Sequence, residues 1–99
     1  MTSGYNILWT DYALEELEKT IEYLEINFTE KEIKKLAKKT DSVLELISIN
    51  PLIFPKSQNK DIYKVVILKF NTLYYRITET DVEILSFFSN RQNPKEENL

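Results

Sequence analysis

Phe28-Thr29-Glu30-Lys31-Glu32-Ile33 stands between two apolar stripes, and residues 29–32 have the T-x-x-E form of a capping box. In such a box the threonine hydroxyl accepts from a free N–H of the first helical turn, and the glutamate reaches back to the cap. The tetrad therefore predicts a helix starting at about residue 30. Upstream, Leu14, Leu17, Ile21, Leu24 and Phe28 recur at spacings of three and four, which draws one stripe on a helix over residues 10–28. Thr10 is its candidate N-cap, and Asp11 places an anion in the first turn, where the helix dipole favours it. Downstream, Ile33, Leu36, Ala37, Thr40, Val43, Leu44 and Ile47 draw a second stripe over residues 30–49. Asn50-Pro51 ends it, because proline cannot continue a helix and restricts the residue before it. With almost no linker, the two helices are expected to fold back as an antiparallel hairpin. The stripes last too few heptads for a coiled coil, so packing within the chain is the reading.

Outward from the hairpin the period changes from helical to alternating. Tyr5-Asn6-Ile7-Leu8-Trp9 reads as a short opening strand. After the Leu52-Ile53-Phe54-Pro55 loop and polar residues 56–60, three strands are expected at about 61–70, 73–78 and 82–88. Asn71-Thr72 is the first turn between them, since asparagine tolerates the left-handed region, and Glu79-Thr80-Asp81 is the second. In the middle strand Leu73, Tyr75 and Ile77 point one way, and Tyr74, Arg76 and Thr78 point the other. The fold class is α+β: an N-terminal strand, then an antiparallel helical hairpin packed on an antiparallel β-sheet meander. One sheet face takes the hairpin. The other, carrying Tyr74, Arg76 and Thr78, is expected to stay half-polar and open.

Composition narrows the chemistry. The 99 residues hold no His and no Cys. That excludes His-based triads, imidazole acid–base catalysis, thiolate nucleophiles, disulfides and the usual zinc ligand sets. No metal, cofactor or catalytic residue is expected. The longest aliphatic run, Val65-Val66-Ile67-Leu68, is far short of a membrane span, and no signal peptide is legible, so a cytoplasmic protein without a membrane partner is expected. Twelve aromatic residues are many for a core this small, and some are expected to serve a partner.

Charge is unevenly spread. Residues 1–32 carry −6, residues 33–78 carry +6 and residues 79–99 carry −3. Within the basic middle, Lys34, Lys35, Lys38 and Lys39 form two rows at a spacing of four on the second helix. They are either a partner-binding patch or a solvated face answering the acidic first helix across the hairpin. Arg76 sits mid-strand, where it either holds a target's anion or serves structure, by pairing with a carboxylate such as Glu83 or stacking on Tyr74. Glu79 and Glu83 lie near one turn, which offers neither the burial nor the close approach of an acid–base couple.

That order of elements, with particular residues, resembles the RelE/ParE superfamily of toxins from type II toxin–antitoxin modules, over nearly the whole chain. Trp9, Ala13, Leu17, Ile21 and Tyr23 look like the family's opening, and Leu46 to Pro51 resembles its end-of-hairpin signature. The most specific pieces are Leu73-Tyr74-Tyr75-Arg76-Ile77, Val82-Glu83-Ile84-Leu85 and Asn90-Arg91-Gln92-Asn93-Pro94. These are similar to the ending of ParE-like plasmid-stabilisation proteins. The resemblance implies one domain over residues 1–99, with a flexible tail from about 94.

It also implies a toxin held inactive by a cognate antitoxin, whose C-terminal segment wraps the hairpin and sheet, in a hetero-oligomer. ParE-like members trap DNA gyrase on cleaved DNA, whereas RelE-like members cut messenger RNA inside the ribosome. Ser89 stands where many RNA-cutting relatives carry a catalytic His, and Lys64 where the family often has Arg. The reading is therefore a ParE-like toxin acting on gyrase by occlusion and trapping. The alternatives are a ribosome-dependent endoribonuclease and a non-toxic relative that only binds an antitoxin. The candidates for target contact are Lys64, Tyr74, Arg76 and Arg91. Those for antitoxin contact are the four lysines of the second helix, with Phe54 and Tyr63.

Overall fold

In the computed structural model, which describes residues 4–58 and 61–90, both helices begin where their capping residues place them. The elements are β1 (Asn6–Trp9), α1 (Asp11–Asn27), α2 (Glu30–Ile49), β2 (Tyr63–Ile67), β3 (Asn71–Ile77) and β4 (Asp81–Ser89). Thr10 caps α1 by accepting from the Ala13 N–H at 3.2 Å, and its hydroxyl also donates to the Ile84 carbonyl at 2.8 Å. One side chain thus starts the helix and ties it to β4. Thr29 precedes α2 as expected, but the capping box does not close, because its hydroxyl makes no cap bond. The Glu32 N–H instead bonds the Thr29 carbonyl at 3.0 Å, so the main chain holds that first turn. Phe28 and Thr29 are both extended, and these two residues reverse the chain.

The sheet order is β1-β4-β3-β2. The expected meander is present, with β2–β3 and β3–β4 both antiparallel. β1 adds to β4 in parallel, from Asn6 opposite Asp81 to Trp9 opposite Ile84, which makes the whole sheet mixed. Parallel neighbours need a long crossover, and the intervening hairpin supplies one.

The β2–β3 connection differs from expectation. β2 ends at Ile67 and Asn71 already pairs with it, so the turn is Leu68-Lys69-Phe70 and not Asn71-Thr72. Leu68 and Lys69 take the left-handed region at φ 55 and 82. Asn71 serves differently: its side-chain amide donates to the Ile67 carbonyl at 3.4 Å, closing the hairpin from inside β3.

Ala13, Leu24, Leu36, Val43 and Ile47 from the helices meet Val65, Leu73, Tyr75, Val82, Ile84 and Phe87 from the sheet. Burying each large apolar side chain contributes about 1.5–3 kcal/mol before entropy is counted. A bulge interrupts β3–β4, where Tyr75 faces Ile84 and Tyr74 faces Ser86, leaving Leu85 as the extra residue. Just past it, the Glu16 carboxylate of α1 accepts from the Ser86 hydroxyl at 2.6 Å and from the Phe87 N–H at 2.8 Å. At the other end of the hairpin, the Tyr5 N–H donates to the Ser48 carbonyl at 2.8 Å. A Cβ on Gly4 would sit 2.7 Å from that carbonyl oxygen, which explains glycine there. The second sheet face is more closed than expected, because Tyr74 is 1% exposed and Thr72 is 3% exposed.

Candidate functional site

An α-helix turns about 100° per residue, so a stripe at spacings of three and four has two flanks that can face different neighbours. The sheet takes one flank: Ala13, Thr20 and Leu24 of α1, with Leu36, Thr40, Val43 and Ile47 of α2, are buried. On the other flank, Leu14, Leu17 and Ile21 turn toward Ile33, Ala37 and Leu44 across the hairpin. They border a cleft of about 290 Å³, which Trp9 lines together with Leu36, Thr40 and Asp41. Leu14 is 42% exposed there. Thr40 is 6% exposed, yet its hydroxyl has no hydrogen-bond partner among the described residues. A buried hydroxyl left unpaired is costly.

The four lysines divide about this cleft. Lys34 and Lys38 precede Ala37 and Asp41 by three residues, so they lie beside its α2 wall. Lys35 and Lys39 fall on the opposite flank of the helix. All four are exposed, and none forms an ion pair among the described residues, so pairing with α1 across the hairpin does not occur.

Of the residues proposed from sequence for target contact, Lys64, Tyr74 and Arg76 share one face of the sheet, with Lys64 directly opposite Tyr74 and Arg76 two residues along β3. Arg76 is committed to Glu83: its Nε donates to Oε1 at 3.0 Å and its Nη2 donates to the same oxygen. Of the two uses open to Arg76, the structural pairing is the one present. Tyr74 is buried, which removes it from the open face where alternation had put it. Lys64 is exposed opposite Tyr74. Arg91 and the tail from 94 lie outside the described residues. Ser89 is 7% exposed, opposite Asn71, and its hydroxyl has no partner among the described residues.

Phe54 and Tyr63 belong to a separate clamp at the β2 edge, and both pack against the core. The Tyr75 hydroxyl donates to the Pro51 carbonyl at 2.7 Å, and its ring stacks on Tyr63 with centroids 5.4 Å apart. The Lys56 ammonium lies 5.8 Å from the Tyr63 ring centre. Burial, and then the neighbouring Tyr63 phenol, push the Tyr75 pKa up to about 12. The outer edge of β2 is occupied by its own loop: the Lys64 N–H donates to the Pro55 carbonyl at 3.1 Å, and the Ser57 N–H to the Ile62 carbonyl at 2.7 Å.

Sequence reasoning assigned the cleft-lining residues to the core. One signal was available: the two stripes hold more apolar positions than a single sheet-facing flank takes, and Thr40 breaks the second. Among the described residues no group of three His, Cys, Asp or Glu side chains is placed to hold a metal. No helix among them is long and apolar enough to cross a membrane.

Comparison with known proteins gives a family and a fold. A family model described as the ParE toxin of the type II toxin–antitoxin system, parDE, matches residues 7–94. A structure titled as the chromosomal ParDE TA system from P. aeruginosa is similar at a TM-score of 0.72 and 10% identity, covering 89% of this chain and 98% of that one. A structure of the YoeB dimer from Staphylococcus aureus is similar at 0.60 and 23% identity, covering 84% and 93%. No curated protein matches the chain by sequence.

Proposed function

Because the chain belongs to the ParE toxin family of type II toxin–antitoxin systems, we propose that its interhelical cleft seats a cognate antitoxin and that its target is DNA gyrase. The observation that carries the first half is the cleft itself. Leucine and isoleucine side chains at its walls remain partly exposed, and Trp9 lines it as well. A segment laid there removes apolar surface from water. The protein works in the cytoplasm as the toxin half of a hetero-oligomer.

Support for gyrase over messenger RNA comes from the family and from the state of the side chains that RNA cleavage would use. Tyr74 is buried, Arg76 is neutralised by Glu83 and Ser89 stands in place of a histidine. A Ser hydroxyl needs an adjacent base to act at neutral pH, and no His exists in the chain to serve. The proposed action is therefore occlusion and trapping, with Lys64 and Arg91 contributing through binding.

Induced expression in cells, with and without the neighbouring reading frame, tests both halves. The expected result is gyrase-dependent DNA breakage without codon-phased transcript ends, relieved by co-expression of the neighbour. Codon-phased cuts that vanish in Lys64→Ala or Arg91→Ala would replace gyrase with the ribosome as target. Absence of growth inhibition in any host would reduce the protein to an antitoxin-binding relative.

A further inference from the structure

Taking the cleft as the antitoxin's seat, we infer that its charged rims fix the direction in which an amphipathic antitoxin helix lies between α1 and α2. The α1 rim is acidic throughout. Glu18 follows Leu14 by four residues and precedes Ile21 by three, Glu22 follows Glu18 by four, and Glu25 follows Ile21 by four. The α2 rim changes sign along its length: Lys34 and Lys38 lie toward the Phe28–Thr29 reversal, and Asp41 and Glu45 lie toward the far end. None of these side chains forms an ion pair among the described residues. Opposite charges therefore stand on either side of an apolar cleft without neutralising each other, at the end nearest the reversal.

An occupant that buries an i, i+3, i+4, i+7 face in the cleft presents one flank to each rim. Favourable contact requires acids on the flank over Lys34 and Lys38, and bases on the flank over Glu18 and Glu22. Turning such a helix end for end, with its apolar face still down, exchanges its two flanks. The reversed helix then sets its acids against Glu18 and Glu22 and its bases against Lys34 and Lys38. Charge on the rims thus reads the direction of the helix, while the apolar walls supply the seat. Like-charge opposition at an interface acts against a wrong partner as strongly as attraction acts for the right one.

Trp9 makes this measurable, because it is the only tryptophan in the chain and lines the cleft. The probes are two synthetic amphipathic peptides of identical composition and apolar face, differing only in which flank carries the glutamates and which the lysines. Each is labelled with a fluorescence acceptor at its N-terminus or at its C-terminus. In the full-length protein, exchanging the flanks is expected to change which labelled end quenches Trp9. The two ends of a helix of about 18 residues lie ~27 Å apart, so the near label should quench at least about twofold more. The rim-reversed variant, Glu18→Lys and Glu22→Lys with Lys34→Glu and Lys38→Glu, changes only exposed positions and should invert both results. At about 1 M salt the preference should fade while binding persists. Finding the same peptide end beside Trp9 for both peptides overturns the directional inference and leaves the cleft as a seat. Finding no response of Trp9 to either peptide overturns the seat itself.

Discussion

Ile47 and Leu14 belong to the same pair of helices and to stripes of the same period, yet Ile47 is 0% exposed against the sheet and Leu14 is 42% exposed beside the cleft. The difference lies in the partner. Toward the sheet, the helices meet a surface that is itself fixed by three antiparallel and parallel ladders, and side chains interlock to the density of an interior. Toward each other, two helices whose positions the sheet has already set leave their facing rows unfilled. Amphipathic periodicity therefore marks surfaces that avoid water, without distinguishing those filled within the chain from those kept for another one.

The comparison breaks if the two surfaces respond alike to truncation. Ile47→Ala should destabilise the fold by about 2–5 kcal/mol in urea unfolding, as deletion in a packed core does. Leu14→Ala should cost less than about 1 kcal/mol and act on antitoxin affinity instead. Equal losses of stability would mean that the cleft is part of the core. A second change sharpens the closed side. Glu16→Ala leaves the Ser86 hydroxyl and the Phe87 N–H without their acceptor, so a loss of about 1–3 kcal/mol is expected. Glu16→Gln, which keeps a carbonyl oxygen, should lose less.

The smallest loss expected on the closed side concerns the clamp at its other edge. Tyr75→Phe removes the bond to Pro51 and should cost about 1 kcal/mol by urea unfolding at neutral pH. The folded pKa of Tyr75, at about 12, lies above the ordinary phenol value near 10. Folding thus favours the protonated form: the contribution is whole below about pH 10 and is lost as pH rises from there through 12. Wild-type protein should lose stability across that window more steeply than Tyr75→Phe.

Much of this was legible beforehand. Spacing placed both helices to within a residue or two, and alternation assigned Leu73 and Tyr75 to the core face. What escaped were features set by partners distant in sequence. Asn71 was read as a turn residue from local preference, but its amide is used by Ile67 and the left-handed positions fall on Leu68 and Lys69. Tyr74 was placed on an open face because alternation says which side a residue takes, not whether that side is covered. Thr29 gave the right start for α2 by a bond that is not made. At the candidate site, Lys34 and Lys38 were legible as charge, whereas the cleft they flank depends on helix spacing that no local pattern encodes.

The parallel pairing of β1 with β4 sets the order in which the molecule is completed during synthesis. Trp9 is held by Ile84, and Asn6 by Asp81, across 75 positions of chain. Chains emerge from the ribosome N-terminus first, and contacts between distant segments wait for the later one. The helices are made early, but the strand that brings Trp9 to the cleft has no ladder to join until β4 has left the exit tunnel. The cleft is thus finished among the last parts of the protein, and a chain stopped before β4 lacks its Trp9 wall.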